Sequence, residues 1–367
     1  MRRYAWILAL LAALLAVANA DAFAARSVPR GFYGVNWDRT IKDHSGPPTK
    51  WGEWARMQKV GVESSRTSFE WGLAQPKKGG PIDFQRTDNF VWLATSHDIS
   101  LLPTIVVAPQ WARQGKGTYS PPSARHAYAK YLTALIERYG PKGTFWPEHP
   151  ELTKRPIRDW QIWNEPNLYY YWPVKGDWAP GYGKLLRTSH KAIKAADPGA
   201  RVVLAGLTNK SWAGLERLYT KGHAKGSFEV AAVHPFTVRH DGVVEIVRRF
   251  RKVMAKHGDG HMPLWATEVG LPAARGRDAD KTSLETTNKG MASFLTRTYS
   301  SLAGARGHLA TRVDRAYWYT WASGYRTKDP WDYAGLLRHN HYTYSESMTP
   351  MPALDAYQKS ALRAEGR

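Results

Sequence analysis

Two glutamates stand at the ends of apolar, tryptophan-rich runs. Glu165 follows Trp160-Gln161-Ile162-Trp163-Asn164 and precedes Pro166-Asn167, while Glu268 follows Leu264-Trp265-Ala266-Thr267 and precedes Val269-Gly270. One such glutamate alone is ordinarily a solvated or salt-bridged strand end. Two at matching depth on facing strands suit a different task, in which one carboxyl protonates a leaving oxygen and the other attacks carbon or activates water, as in glycoside hydrolysis. The acid must hold a proton while its partner is ionised, so their environments have to separate their acidities. Arg66, in Ser65-Arg66-Thr67-Ser68, is the candidate to hold Glu268 ionised.

Whether the two carboxyls meet depends on the elements that carry them. Short β-rich runs alternate with amphipathic helical patterns, and eight pairs can be counted, with strands expected at 32–36, 62–68, 101–107, 159–163, 201–205, 228–233, 264–267 and 315–320. Tyr128, Tyr131, Leu132, Leu135, Ile136 and Tyr139 form one helical stripe, closed by Gly140-Pro141. Tyr182, Leu185, Leu186, Ile193 and Ala196 form another, ended by Pro198-Gly199. Asp241 is expected to cap a helix over 243–257, and Thr282 with Glu285 reads as a capping box. Alternating strands and helices imply parallel βαβ units, and eight of them imply an α/β fold, a (β/α)8 TIM barrel in one domain over 31–367. Strands four and seven then face each other across the mouth. The longest connections follow strands two, three, four, seven and eight, on the face where this fold builds its sites. A doubly wound sheet would want a glycine-rich loop after strand one, and Asn36-Trp37-Asp38 is not one.

The 367 residues are 43% hydrophobic and include no Cys, which excludes disulfides, thiolate metal centres and a thiol nucleophile. Met1-Arg2-Arg3-Tyr4, an apolar run over 5–17 and Ala18-Asn19-Ala20 have the layout of a signal peptide over 1–20, so export is expected, followed by an N-terminal extension over 21–30. No later run is apolar and long enough to cross a membrane. A formal net charge of +21 attracts polyanions. The basic residues are scattered, Arg248-Arg249-Phe250-Arg251-Lys252 being the densest run, and no nucleic-acid motif accompanies them. Nucleic acid is therefore not the expected partner; the charge serves an acidic glycan, surface attachment or solubility. His339-Asn340-His341 lacks a third ligand at metal-binding spacing and reads as loop surface, so neither metal nor cofactor is expected.

There are 17 Trp and 19 Tyr, and many fall after strands. Trp37, Trp71, Trp111, Tyr319, Trp321 and the cluster Tyr169-Tyr170-Tyr171-Trp172 are expected on the mouth, where a flat ring covers the apolar face of a pyranose. Trp321 is expected as the floor beside the bond to be broken, whereas Trp318 packs in the barrel. Glu70 reads as loop scaffold or substrate contact. His234, in Val233-His234-Pro235-Phe236, is either a core histidine or part of the site.

Over about 32–357 the chain resembles the clan A retaining glycoside hydrolases, particularly families 39 and 5. Trp163-Asn164-Glu165-Pro166-Asn167 matches their acid/base strand, and Thr267-Glu268-Val269-Gly270 their nucleophile strand. The resemblance implies Glu165 as general acid/base, Glu268 as nucleophile, Asn164 as partner of a sugar 2-hydroxyl, Arg66 beside the nucleophile and His234 as a sugar contact. It implies a β-linked poly- or oligosaccharide as substrate. These families often have a tyrosine two residues after that histidine, hydrogen-bonded to the nucleophile; Phe236 stands there instead. A catalytically silent glycan-binding barrel and a basic polyanion-binding surface protein are the rival expectations.

Overall fold

The computed structural model describes residues 25–37, 52–324, 327–340 and 348–367; the expected signal peptide, Asp38 and His341 lie outside the described residues. Eight strands form one sheet: β1 (Tyr33–Trp37), β2 (Ser64–Glu70), β3 (Ser100–Val106), β4 (Asp159–Ile162), β5 (Arg201–Val203), β6 (Ala231–Val233), β7 (Leu264–Val269) and β8 (Arg315–Trp318). Their order is β5-β4-β3-β2-β1-β8-β7-β6, and the registered pairs are parallel. Parallel bridges Val203–Val230 and Leu207–Val233 join the two outer strands. Hydrogen bonds from Leu204 N to Val230 O and from His234 N to Leu207 O, both 2.9 Å, close the ring. Every expected strand is present, with ends moved by up to three residues.

Around the ring lie α1 (Gly52–Lys59), α2 (Gln85–Ser96), α3 (Arg125–Tyr139), α4 (Trp178–Ala196), α5 (Ser211–Thr220), α6 (His240–Lys256), α7 (Asn288–Gly304) and α8 (Pro352–Glu365). The stripe read on α3 is the face it buries, residue for residue. On α4 the stripe holds except at Ala196, which sits exposed in the last turn. Tyrosines on these buried faces also serve the strand ends, where regular pairing runs out. Tyr128 Oη donates to Ile105 O at 2.8 Å, and Tyr182 Oη donates to Ile162 O at 2.9 Å while accepting from Ala205 N at 2.8 Å. Each such ring stabilises the helix–strand contact by about 1.5–3 kcal/mol of apolar burial and pairs a carbonyl that would otherwise be orphaned.

Two helix starts differ from expectation. Thr282 and Glu285 precede the helix: Thr282 Oγ1 accepts from Leu284 N in a local turn, and the cap of α7 is Thr287, whose hydroxyl accepts from Gly290 N. Asp241 lies inside the first turn of α6, its carboxylate engaged by Arg239 and Gly242 N. In both cases the side chain satisfies a nearer donor than the helical one. Beyond β8, the short strands β9 (Ala322–Ser323), β10 (Leu337–His339) and β11 (Met348–Pro350) form a second sheet. His339 is buried on β10, contrary to the surface loop expected there. Among the described residues no helix is long and apolar enough to cross a membrane.

Candidate active site

Inside the barrel, just below its C-terminal mouth, the inward residues of five strands are polar: Asn36 on β1, Arg66 on β2, Thr104 on β3, Gln161 on β4 and Thr267 on β7, all buried. Buried polar groups must find partners, and these find one another. Gln161 Oε1 accepts from Arg66 Nε at 2.6 Å and from Thr104 Oγ1 at 2.9 Å, and Gln161 Nε2 donates to Leu204 O at 2.9 Å and Thr267 Oγ1 at 3.3 Å. Asn36 Nδ2 donates to Thr267 O at 3.1 Å. The layer leaves Arg66 a single orientation, with Nη1 donating to Asn36 Oδ1 at 2.8 Å and Glu268 Oε1 at 2.6 Å, and Nη2 to Asn164 Oδ1 at 2.7 Å.

Glu268 is the penultimate residue of β7. Glu165 lies three residues past β4, where the chain leaves the strand through two left-handed residues, Trp163 at φ 69° and Glu165 at φ 38°. Non-glycine residues there cost about 1–3 kcal/mol each and persist only when surrounding contacts over-determine them. Those contacts are Trp163 N to Ile105 O at 3.2 Å, Leu168 N to Glu165 O at 2.9 Å, and Trp163 Nε1 to Tyr171 O at 2.8 Å. The result brings Glu165 over the barrel axis to meet His234. Nδ1 of that ring is 2.7 Å from Glu165 Oε1 and 3.5 Å from Glu268 Oε2, and Nε2 is 3.0 Å from Thr267 Oγ1. Oxygens of both carboxyls and a nitrogen of His234 lie within 4.8 Å of one another. Gly206, past β5, makes room for the ring: a Cβ there would lie 1.9 Å from His234 Nε2.

The charges follow from burial. Desolvation pushes the Glu165 carboxyl up to about 8, with Arg66 pulling weakly the other way. Desolvation also raises Glu268, and the charge that opposes it at ordinary pH is that of Arg66; the repulsion from Glu165 disappears when Glu165 holds a proton. Burial lowers His234 to about 3, so the ring is neutral at ordinary pH. Gln161 donates to Thr267 Oγ1, which leaves the Thr267 hydroxyl proton available to Nε2; with that proton given to Nε2, the ring proton sits on Nδ1 and points to Glu165. The same trio is the cluster best able to grip a metal ion among the described residues. The guanidinium 2.6 Å from Glu268 and the engagement of both imidazole nitrogens suit a proton better than a cation.

Glu165, Glu268, Asn164, Arg66 and His234 are thus brought together. The expected aromatics divide. Trp37 is stacked on Trp54 at 5.0 Å, Trp71 is enclosed by Trp111, Tyr128 and Tyr131, and Trp321 is fully buried with Nε1 donating to Glu53 Oε2 at 2.9 Å. A ring needs a bare face to cover a pyranose, so these three are core, and Trp321 is not the floor. Trp111 and Tyr319 keep partly exposed faces. Tyr319, joined to Thr320 by a cis peptide, packs with Phe236 and Trp331. Phe236 itself lies 4.5 Å from Trp331, and Arg66 and His234 are the neighbours of Glu268 where a tyrosine hydroxyl was the family expectation. Glu70 faces Arg86 at 3.6 Å at the end of β2, a loop-scaffold position. Asn36, Gln161, Thr267, Gly206 and Trp331 belong to the site or its support without having been singled out for it. A fully buried amide in an apolar strand, as at Gln161, was the available signal.

No protein-family model matches the chain, and no curated protein matches it in sequence. Solved structures do match in shape. A family 39 glycoside hydrolase from Bacteroides cellulosilyticus superposes with a TM-score of 0.66 at 18% identity, covering 91% of this chain and 64% of that one. A monomeric β-xylosidase from Caulobacter crescentus gives 0.64 at 17%, covering 91% and 68%. A family 5 protein from Streptomyces cattleya in complex with Manβ1-4GlcNAc gives 0.61 at 16%, covering 92% and 80%. The chain spans about two thirds of the length of the first two. In fold, then, the chain is a (β/α)8 barrel similar to glycoside hydrolases of families 39 and 5, the resemblance its motifs carry.

Proposed function

We propose that the protein is an exported retaining glycoside hydrolase that cleaves a β-linked poly- or oligosaccharide by double displacement. The observation that carries this reading is the buried pair itself: two carboxyls gathered around one imidazole within 4.8 Å, one raised to about 8 and the other held by Arg66. Retaining enzymes keep their carboxyls about 5–5.5 Å apart so that one can attack the sugar, whereas inverting enzymes need roughly 6.5–9.5 Å for a water between them. The packing here favours the shorter spacing.

In this mechanism Glu165 enters protonated and gives its proton to the glycosidic oxygen while Glu268 attacks the anomeric carbon, forming a glycosyl ester and releasing the leaving sugar. The Nδ1 proton of His234 stabilises the Glu165 carboxylate so formed. That carboxylate then takes a proton from water, whose oxygen attacks the anomeric carbon and frees Glu268, so configuration is kept through two inversions. Asn164 spends its carbonyl oxygen on Arg66, which leaves its NH2 group for a sugar hydroxyl.

Reducing-sugar release from neutral and acidic β-glycans tests the activity, with early NMR of the product anomer testing its stereochemistry. Retained configuration is expected, together with no release by Glu268→Gln. Glycan binding without release would favour a silent barrel, and inverted product would overturn the mechanism. A KM that rises steeply with salt only on acidic glycans would identify an anionic substrate. Export is tested by the N-terminus of the protein recovered outside the cytoplasm, expected at Asp21.

A further inference from the structure

The loop that follows Glu165 carries three consecutive tyrosines. Tyr169 and Tyr170 are 73% and 59% exposed, the largest exposures among the big apolar side chains of the described residues. Tyr170 and Tyr171 meet edge to face at 4.9 Å, and Tyr119, from the β3–α3 connection, packs against both at 5.2 and 4.9 Å. These rings form a continuous wall. Its outer end, Tyr170, faces solvent. Its inner end, Tyr171, is fixed by its carbonyl to the Trp163 indole at 2.8 Å, and its hydroxyl feels the charges of both Glu165 and Glu268. The wall is thus built from the connections that follow β3 and β4, and its inner end is tied to the turn that carries Glu165, where Leu168 N donates to Glu165 O at 2.9 Å. Aromatic side chains this exposed add nothing to the core, and a self-packed patch continuous with a polar site calls for a ligand with apolar faces and polar edges.

We propose that Tyr119, Tyr170 and Tyr171 form a subsite for the leaving-group sugar. This rests on the hydrolase reading above and adds a direction to it. In a double displacement the acid and the nucleophile address opposite faces of the bond, so the departing sugar leaves on the side of the acid. The wall follows Glu165 by five and six residues on the same loop. The substrate class this selects is an oligosaccharide or internal chain segment with a sugar as leaving group, in place of a glycoside whose leaving group is small.

The test compares β-1,4-xylo- and gluco-oligosaccharides with the matching 4-nitrophenyl β-glycosides. Replacing Tyr170 or Tyr119 with Ala should lower the ratio of kcat/KM on the oligosaccharide to that on the aryl glycoside by about tenfold, the loss of one stacking face. Tyr170→Phe, which keeps the ring, should restore it. A second readout is transfer: an acceptor sugar that intercepts the glycosyl-enzyme should do so less well against water in both alanine variants. An unchanged ratio together with unchanged transfer in variants that still turn over the aryl glycoside would overturn the subsite and leave the hydrolase reading standing. Wild-type protein that turns over neither substrate class, nor any glycan in the wider panel, would instead defeat the hydrolase reading itself.

Discussion

The barrel holds an arginine–carboxylate cluster at each end, and the two differ in how many charges of each sign they contain. At the N-terminal end Asp159, the first residue of β4, faces Arg201 Nε at 2.7 Å and Arg315 Nη1 at 3.6 Å, with both guanidiniums over the Trp265 ring at 5.4 and 4.3 Å. One carboxylate meets two cations, so its charge is more than matched. At the mouth two carboxyls meet one guanidinium and a neutral imidazole, so one of them must keep a proton at neutral pH. Similar residues give a more open ion-pair cluster below, where the Arg201 side chain is 40% exposed, and above it a buried carboxyl pair of the kind the proposed mechanism needs. The surplus carboxyl makes the difference.

The sharpest way to break that contrast is to remove one carboxylate from each end. Glu268→Gln should abolish turnover of every glycoside, by about 10⁴-fold or more, since no group remains to form the glycosyl ester. Glu165→Gln should lose natural glycans while sparing aryl glycosides, whose leaving group departs without a proton. Asp159→Asn should keep kcat/KM within about twofold yet unfold at lower temperature, losing roughly 2 kcal/mol as two guanidiniums are left facing each other. Steady-state kinetics on both substrate types, with thermal melts, separate these outcomes. A comparable loss of turnover at Asp159 would erase the distinction between the ends.

The cations extend the comparison. Arg66→Met should lower kcat by about 10³-fold, because it removes charge stabilisation that must act as Glu268 is ionised. Without the guanidinium the Glu268 carboxyl moves higher still, and the acid limb of the pH–rate profile should move up with it. Arg315→Met should leave that limb in place. A profile that shifts equally in both variants would mean that Arg66 acts by holding the barrel together rather than by holding charge.

A third contrast concerns pH and stability. Glu165 keeps its proton up to about 8 in the folded chain, against 4.5 for a glutamate free in water. As pH rises past about 4.5 the unfolded state sheds that proton first. Between there and about 8 the folded state binds more protons, so stability falls with pH across this window. Glu165→Gln has no proton to lose at this position and should be the more stable protein at pH 8, by on the order of 3 kcal/mol, with the advantage gone near pH 4. In the wild type, turnover of natural glycans should fall above about pH 8 as the acid ionises. Denaturant melts at several pH values check the first, and a pH–rate profile the second.

Much of this was readable because the acids announce themselves locally. Glu165 and Glu268 sit at strand ends with distinctive flanks, and an eight-fold alternation of strand and helix leaves few ways to arrange them. Arg66 and His234, expected from the resemblance, lie beside that pair in the structure. The supporting layer was hidden because its contacts join distant strands: Gln161 meets Arg66 and Thr267 across 95 and 106 residues. The tryptophans misled for a related reason. Trp37, Trp71 and Trp321 all lie at strand ends, and position alone does not say whether a ring there turns toward the mouth or into the packing beneath it. Trp54 and Glu53, which help enclose two of them, come from α1.

The smallest effect belongs to the layer beneath the site. Thr267→Val keeps the shape of the side chain and removes the hydroxyl that donates to His234 Nε2 at 3.0 Å. A buried ring nitrogen left unpaired costs about 1–3 kcal/mol in either tautomer, because valine neither donates nor accepts, so the choice of tautomer passes to the carboxyls that face Nδ1, Glu165 at 2.7 Å and Glu268 at 3.5 Å. A protonated Glu165 donates best to a lone pair on Nδ1, and the ring proton then moves to Nε2. Glu165 would spend its acidic proton on that lone pair and would lose the donor that stabilises its carboxylate after the leaving group is protonated. Natural glycans, which need the acid, should therefore lose about tenfold in kcat, and aryl glycosides much less. Nitrogen-15 NMR of the His234 ring should show the proton moving from Nδ1 to Nε2. Equal losses on both substrates with the tautomer unchanged would mean that Thr267 matters only for packing, and that the imidazole is oriented by the two carboxyls alone.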